Sequence, residues 1–163
     1  MLILLMGISG AGKTTVGRLL ALRLGWEFIE GDDHHPEANV NKMRRGIPLT
    51  DADRAPWLES LRALMLARTA AGKNAVVACS ALKQAYRETL RISPDVHVVY
   101  LRGTSQLLRQ RLNERAGHFM SAAMLESQLA ALEEPGDSLV IDVERSPDEI
   151  VLEILARLGL PNP

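Results

Sequence analysis

One octapeptide near the start of the chain limits the possible folds more than any other feature. Residues 7–14 read Gly7-Ile8-Ser9-Gly10-Ala11-Gly12-Lys13-Thr14, a full G-x-x-x-x-G-K-[ST] pattern. The apolar run Leu2-Ile3-Leu4-Leu5-Met6 precedes it. Apolar residues at helical spacing, Val16, Leu19, Leu20 and Leu24, follow it. Strand, glycine loop and helix in that order make a phosphate cradle. The glycines let successive backbone N–H groups turn inward, and the helix N-terminus adds a favourable dipole. Gly7, Gly10, Ala11, Gly12, Lys13, Thr14 and Thr15 are therefore the candidates for binding a nucleotide. Lys13 can reach the β- and γ-phosphates, and the Thr14 hydroxyl can hold Mg²⁺. A glycine-rich turn that binds nothing is the competing reading, and the complete pattern in its strand–helix context weighs against it. No Asn/Thr-Lys-x-Asp base-reading motif occurs, which favours ATP over GTP.

Strand and helix patterns alternate along the whole chain. Continuous apolar or β-rich runs at 2–6, 27–31, 75–79, 96–101 and 139–142 predict five strands. Helices are expected after the phosphate loop up to Gly25, around Trp57, Leu58, Leu61, Met65 and Leu66, at 80–91 and at 104–115. A last helix should follow the cap Ser146-Pro147-Asp148-Glu149. Segment 31–53 is polar and has no strong period. Five strands separated by helices call for an α/β fold, a parallel sheet with helices on both faces. Ligands should sit outside the carboxyl ends of its strands.

The 163 residues suffice for one domain. A formal net charge of −1 implies no broad basic field for nucleic acid. No apolar run approaches the roughly 20 residues that span a bilayer. The start of the chain is too short in apolar residues for a signal-peptide core. A single cysteine, Cys79, excludes an intramolecular disulfide and fits a reducing compartment. The expectation is a cytoplasmic protein without a membrane partner.

Four polar segments follow strand ends or the helices after them. In Glu30-Gly31-Asp32-Asp33-His34-His35-Pro36, Asp32 is the candidate to hold Mg²⁺ through water or to accept a hydroxyl proton during phosphoryl transfer. His35 is a candidate polar contact to substrate. A solvated turn is the alternative for this segment. Segment 42–54 is basic, then turn-like, then acidic. Its cations, Arg54 among them, suit an anionic acceptor, while Thr50-x-x-Asp53 could simply cap a helix. The third strand ends in Ala78, Cys79 and Ser80, where many phosphate-loop proteins place the Asp that orders the Mg²⁺ water. Asp32 or the Ser80 hydroxyl must then serve. Lys83 and Arg87 are four apart, which on one helix face makes a two-cation clamp or a plain basic surface. Arg111 and Arg115 share a face in the same way, and Gly117 gives a hinge beyond them. Such a segment can close over a triphosphate and offset charge on the transferred group.

Taken together, the strings GISGAGKTTVG, GDDHHPEANVNKM, GIPLTDADRAPWL, VVACSALKQAYRETLR and GHFMSAAMLESQLAALEEP resemble the bacterial-type gluconate kinases (gluconokinases). These lie in the shikimate-kinase and nucleoside-monophosphate-kinase branch of P-loop proteins. The similarity runs from residue 7 to about 135. It departs at His34, where an apolar residue is common, and at Arg44-Arg45, where the stretch is often small and neutral. The resemblance implies a P-loop NTPase fold: a three-layer α/β/α arrangement on a five-stranded parallel sheet. It implies one domain over 1–163, with an acceptor-binding helical segment at about 32–72 and a lid at about 115–135. It further implies ATP- and Mg²⁺-dependent phosphorylation of D-gluconate at O6, and a homodimer. By the same resemblance Lys13, Asp32 and Arg115 are catalytic. Thr14 and Asp32 belong to the metal, and Arg111 and Arg115 to the nucleotide. Asp32, His35, Arg54, Ser80, Lys83, Arg87, His118 and Gln128 belong to the acceptor side or lid. Kinases of shikimate or of nucleoside monophosphates are the nearest rivals. A nucleotide-binding switch without an acceptor is a rival of another class.

Overall fold

A computed structural model describes residues 1–114 and 122–162. A five-stranded, wholly parallel sheet forms its centre, from β1 (Leu2–Met6), β2 (Glu27–Glu30), β3 (Ala75–Ala78), β4 (Val96–Arg102) and β5 (Leu139–Asp142). The spatial order is β2-β3-β1-β4-β5. Leu2 pairs with Ala75 on one side and Val96 on the other, so β1 lies in the middle of the sheet.

Seven α-helices accompany the strands among the described residues, six between them and one after β5: α1 (Lys13–Leu24), α2 (Glu37–Arg44), α3 (Asp51–Ala70), α4 (Gln84–Leu90), α5 (Ser105–Glu114), α6 (Ala122–Ala131) and α7 (Pro147–Arg157). They divide between the two faces of the sheet. Ile3 and Leu5 of β1 pack with Val16 and Leu20 of α1 and with Ile150, Val151, Ile154 and Leu155 of α7. Leu2, Leu4 and Met6 pack with Trp57, Leu58, Leu61 and Met65 of α3 and with Leu90 of α4. Side chains alternate across a strand, so a continuously apolar β1 feeds both cores. All five of its residues are at most 2% exposed. This is the three-layer α/β/α arrangement expected from the sequence.

Local chemistry sets the element ends. Gly25 ends α1 with φ 65°, a left-handed conformation that favours glycine. Thr50 and Asp53 form a reciprocal capping box on α3, as Ser146 and Glu149 do on α7. Each satisfies N–H groups that a helix start leaves open. Asp53 also accepts from Lys42 of α2 at 2.6 Å. That ion pair, together with the cap, holds the Asp53 carboxyl down at about 2.

The structure revises three parts of the sequence reading. Strand β2 stops at Glu30, and residues Gly31–His34 form a 3-10 turn. The polar segment 31–53 contains the helix α2. Residues 80–83 are not helical: Ala81 sits at φ 44°, and α4 begins only at Gln84.

Candidate active site

The phosphate loop joins β1 to α1 at the carboxyl edge of the sheet. Gly12 caps α1 at φ 92° with no side-chain bond to the first turn. A helix start of this kind suits an anionic ligand. Lys13 curls back over the loop, donating to the carbonyls of Gly7 at 2.9 Å and Ile8 at 3.4 Å. The Ser9 N–H donates to Oε1 of Gln128 at 2.8 Å, and Nε2 of Gln128 donates to Ser9 Oγ at 3.2 Å. Helix α6 is thereby latched onto the loop.

Two clefts adjoin the loop. The first is lined by Ser9 and Lys13 together with Asp32, His35, Arg54, Ser80 and Gln128. The second is lined by Gly10, Gly12 and Thr15 together with Arg111 and Arg145. Arg111 donates to the carbonyl of Val143 at 2.7 Å, which fixes its guanidinium beside this second cleft.

The acidic turn after β2 is held tightly. Gly31 is pressed against β3, where an added Cβ would lie 2.4 Å from the Ala78 carbonyl oxygen. The Gly31 carbonyl accepts from the buried Trp57 indole at 2.7 Å. Glu30 accepts from the Thr14 hydroxyl at 2.7 Å. Burial pushes the Glu30 carboxyl above its ordinary range, and the Thr14 bond opposes this in part. The Thr14 hydroxyl and the Glu30 and Asp32 carboxylates form a hard oxygen donor set. Such a set fits Mg²⁺, which binds through one or two carboxylates plus substrate phosphates.

His35 stacks on Trp57 with ring centroids 4.0 Å apart and planes 18° apart. Asn39 is 3% exposed. It donates to the Asp53 carbonyl at 2.7 Å, and its Nδ2 lies 3.3 Å from His35 Nδ1. With Nδ1 accepting from that amide, neutral His35 carries its proton on Nε2. Burial lowers the imidazole pKa; the Asp32 charge opposes this and the Arg54 charge adds to it. A base with a lowered folded-state pKa gives stability that is complete above its unfolded value. That stability is lost as the pH falls through the folded-state value. NMR titration of the folded protein should therefore give His35 a midpoint below the ordinary 6.5. A midpoint at or above 6.5 would contradict the buried, Asn39-bonded imidazole.

The two-cation clamp does not form. Lys83 is the N-cap of α4, in extended backbone at φ −92°, ψ 151°. Its ammonium bonds Asp51 Oδ2 at 2.7 Å and Oδ1 at 2.9 Å. Arg87 is 5% exposed and donates to the carbonyls of Ala81 at 3.0 Å and Leu82 at 2.9 Å. The chain before α4 is irregular around the left-handed Ala81; Arg87 serves the carbonyls there, and the Glu133 N–H also donates to the Leu82 carbonyl at 2.9 Å. Neither cation lines the first cleft. In the basic run 42–45, Lys42 is engaged by Asp53, and Arg44 and Arg45 are exposed. Arg115 and His118 lie outside the described residues. Cys79 is fully buried, and burial pushes its thiol up to about 12, so it serves as a small core residue.

Three site residues escape a reading from sequence. Glu30 is the last residue of β2, and the strand-end rule that pointed to Asp32 applies to it equally. Trp57 reads as a core residue of a helical stripe, which it is, yet its ring also carries His35. Asn39 gives no signal, since its bonds to His35 and Asp53 exist only in the folded chain.

Comparisons with known proteins agree on this architecture. Residues 2–135 match a family described as AAA domain. The chain is 50% identical over 159 residues to a gluconokinase of Gluconobacter oxydans, covering 95% of this chain and 89% of that protein. It is similar to the crystal structure of a gluconokinase from Sinorhizobium meliloti, with TM-score 0.84 and 44% identity over 96% of this chain and 90% of the other. It is also similar to an unliganded sugar kinase from Janibacter, with TM-score 0.91 and 43% identity over 99% of this chain and 95% of the other.

Proposed function

The chain belongs to the AAA domain family and to the gluconokinases, and from that membership we propose that it transfers the γ-phosphoryl group of ATP to O6 of D-gluconate. The products are 6-phosphogluconate and ADP. One structural observation supports a two-substrate transfer above all others: a single phosphate loop contributes to two separate clefts. The cleft with Arg111 and Arg145 suits the nucleotide. The cleft with Asp32, His35, Arg54 and Ser80 suits a polyhydroxy acid. Donor and acceptor then meet at Lys13.

The acceptor cleft has the chemistry for this substrate. Gluconate carries one carboxylate and several hydroxyls. With Lys83 and Arg87 engaged elsewhere, Arg54 is the cation that faces the carboxylate. His35, through Nε2–H, and Ser80 are placed for hydroxyls. Arg54 has the planar fork that pairs with carboxylates.

The transfer is in line. Lys13 and the loop N–H groups hold the β- and γ-phosphates. Asp32 orients the primary hydroxyl and accepts its proton as the O6–phosphorus bond forms and the bond to the β–γ bridging oxygen breaks. Thr14, with Glu30 and Asp32 beyond it, would hold Mg²⁺, which neutralises phosphate charge when bound. Latching of α6 through Gln128 covers the loop and limits access of water. Arg115 and His118 are read as lid residues by their resemblance alone. The same resemblance supports a cytoplasmic homodimer. No helix among the described residues is long and apolar enough to cross a membrane.

Coupled detection of ADP tests the reaction. The purified protein should release ADP with gluconate in the presence of Mg²⁺ and little without it. Shikimate and nucleoside monophosphates should not stimulate release. Preferential turnover of one of those acceptors would replace gluconate. ATP binding with no acceptor-stimulated release would point to a nucleotide switch.

A further inference from the structure

Arg54 does not stand alone. It lies in the first turns of α3, lines the acceptor cleft, and its side chain is 18% exposed. Its Nη1 donates to Tyr86 Oη at 3.4 Å. The same phenol donates to Asp51 Oδ1, which lies 3.7 Å from Arg54 Nη1. The guanidinium also sits over the Tyr86 ring, 5.8 Å from its centroid. Lys83 completes the group through both oxygens of Asp51, at 2.7 and 2.9 Å.

This arrangement has a direction. Tyr86 and Lys83 belong to the β3–α4 side of the molecule, and Arg54 and Asp51 to α3, which begins the acceptor-side helix. The closest charge on Asp51 is Lys83, not Arg54. Arg54 is therefore steered by Asp51 without being neutralised by a tight ion pair. Among the described residues, its hydrogen bonding runs through Nη1, and the other donors of its fork remain for the cleft. The phenol is the hub: it accepts from the guanidinium while donating to the carboxylate.

We propose that Tyr86, Asp51 and Lys83 are positioning residues that hold Arg54 in the orientation in which it receives the carboxylate of the acceptor. The proposal rests on the reading of the cleft as a sugar-acid site, and it assigns specificity for an acid over a neutral sugar to this brace. It also gives Lys83 a part in acceptor recognition without contact to the acceptor.

The test is a set of mutant cycles. Tyr86→Phe keeps the buried ring and removes the hub, and Asp51→Asn alters an exposed group on the same network. Each is made in the natural chain and in an Arg54→Ala background, and KM for gluconate, KM for ATP and kcat are measured. Each single variant should raise the gluconate KM about tenfold, leave kcat and the ATP KM within about twofold, and add nothing once Arg54 is gone. A purely structural role would spread the loss over kcat and both KM values, and would persist without Arg54. Either pattern overturns the brace, as does an unchanged gluconate KM in both single variants. If those variants are silent while Arg54→Ala still raises the gluconate KM, the brace fails and the site reading stands. If Arg54→Ala is silent too, both fail.

Discussion

Replacing Lys13 by alanine should lower kcat by about a thousandfold or more, about 4 kcal/mol of transition-state stabilisation, while the protein stays folded. In the structure the ammonium rests on the carbonyl oxygens of Gly7 and Ile8. Phosphate oxygens are stronger acceptors, and they enter the same cradle. Negative charge on the β–γ bridging oxygen is greatest as the bond to phosphorus breaks. The lysine charge is thus worth more in the transition state than in the bound complex, and its loss falls on kcat. Among the described residues, the other cations beside the loop are engaged elsewhere, Arg145 with Glu153. Arg111 is held by the Val143 carbonyl beside the second cleft, and Arg54 is held by Tyr86 in the first. The fold should tolerate the change, because α1 packs through Val16, Gly17, Leu20 and Ala21. The two lost bonds to loop carbonyls are worth about 1 kcal/mol each, a few degrees in Tm at this chain length. Steady-state ADP release and a thermal melt, measured on the same preparation, separate the two effects. A near-normal kcat would take Lys13 out of the transfer.

Parts of this molecule were legible because one-dimensional patterns dictate them. Leu2–Met6 is apolar at every position, which only a strand buried on both faces requires, and β1 has those bounds. Gly25 and the Ser146 cap mark helix ends through local backbone and side-chain chemistry, and both do so in the structure. Helix α2 was not legible because it buries only Asn39, so it shows no apolar stripe. The turn before α4 is hidden for a different reason. A left-handed alanine at 81 is against local preference and is imposed by the tertiary fold. With 80–91 read as one helix, Lys83 and Arg87 fall on one face. Spacing four apart cannot reveal that one guanidinium serves its own chain's carbonyls and that one ammonium serves Asp51, 32 residues away. In the site, Asp32, His35, Arg54, Ser80 and Gln128 come together with Lys13. Trp57 and Tyr86 hold this group through bonds to residues 26 and 32 positions away, which no spacing encodes, and Asn39 adds a bond to His35 four residues before it and one to the Asp53 carbonyl.

Asp32→Asn should lower kcat about a thousandfold, within the range of general acid–base contributions, and change the ATP KM by no more than about twofold. The side chain faces the acceptor cleft from a turn whose backbone has little freedom. Gly31 abuts the Ala78 carbonyl, and the Trp57 indole holds the Gly31 carbonyl. Asparagine keeps the size and the turn, so geometry survives and only the charge and the proton-accepting oxygen are lost. Those two properties act while O6 gives up its proton and attacks phosphorus. On the proposed assignment the nucleotide is held elsewhere, by the loop and the second cleft, so its KM should barely move. Glu30 cannot replace Asp32: half-buried and bonded to the Thr14 hydroxyl at 2.7 Å, it is directed at the phosphate loop. Initial rates at saturating gluconate over a range of ATP concentrations decide the matter. An unchanged kcat would remove Asp32 from the chemistry. A fall in ATP affinity that matched the fall in kcat would move it from proton acceptance to metal binding alone.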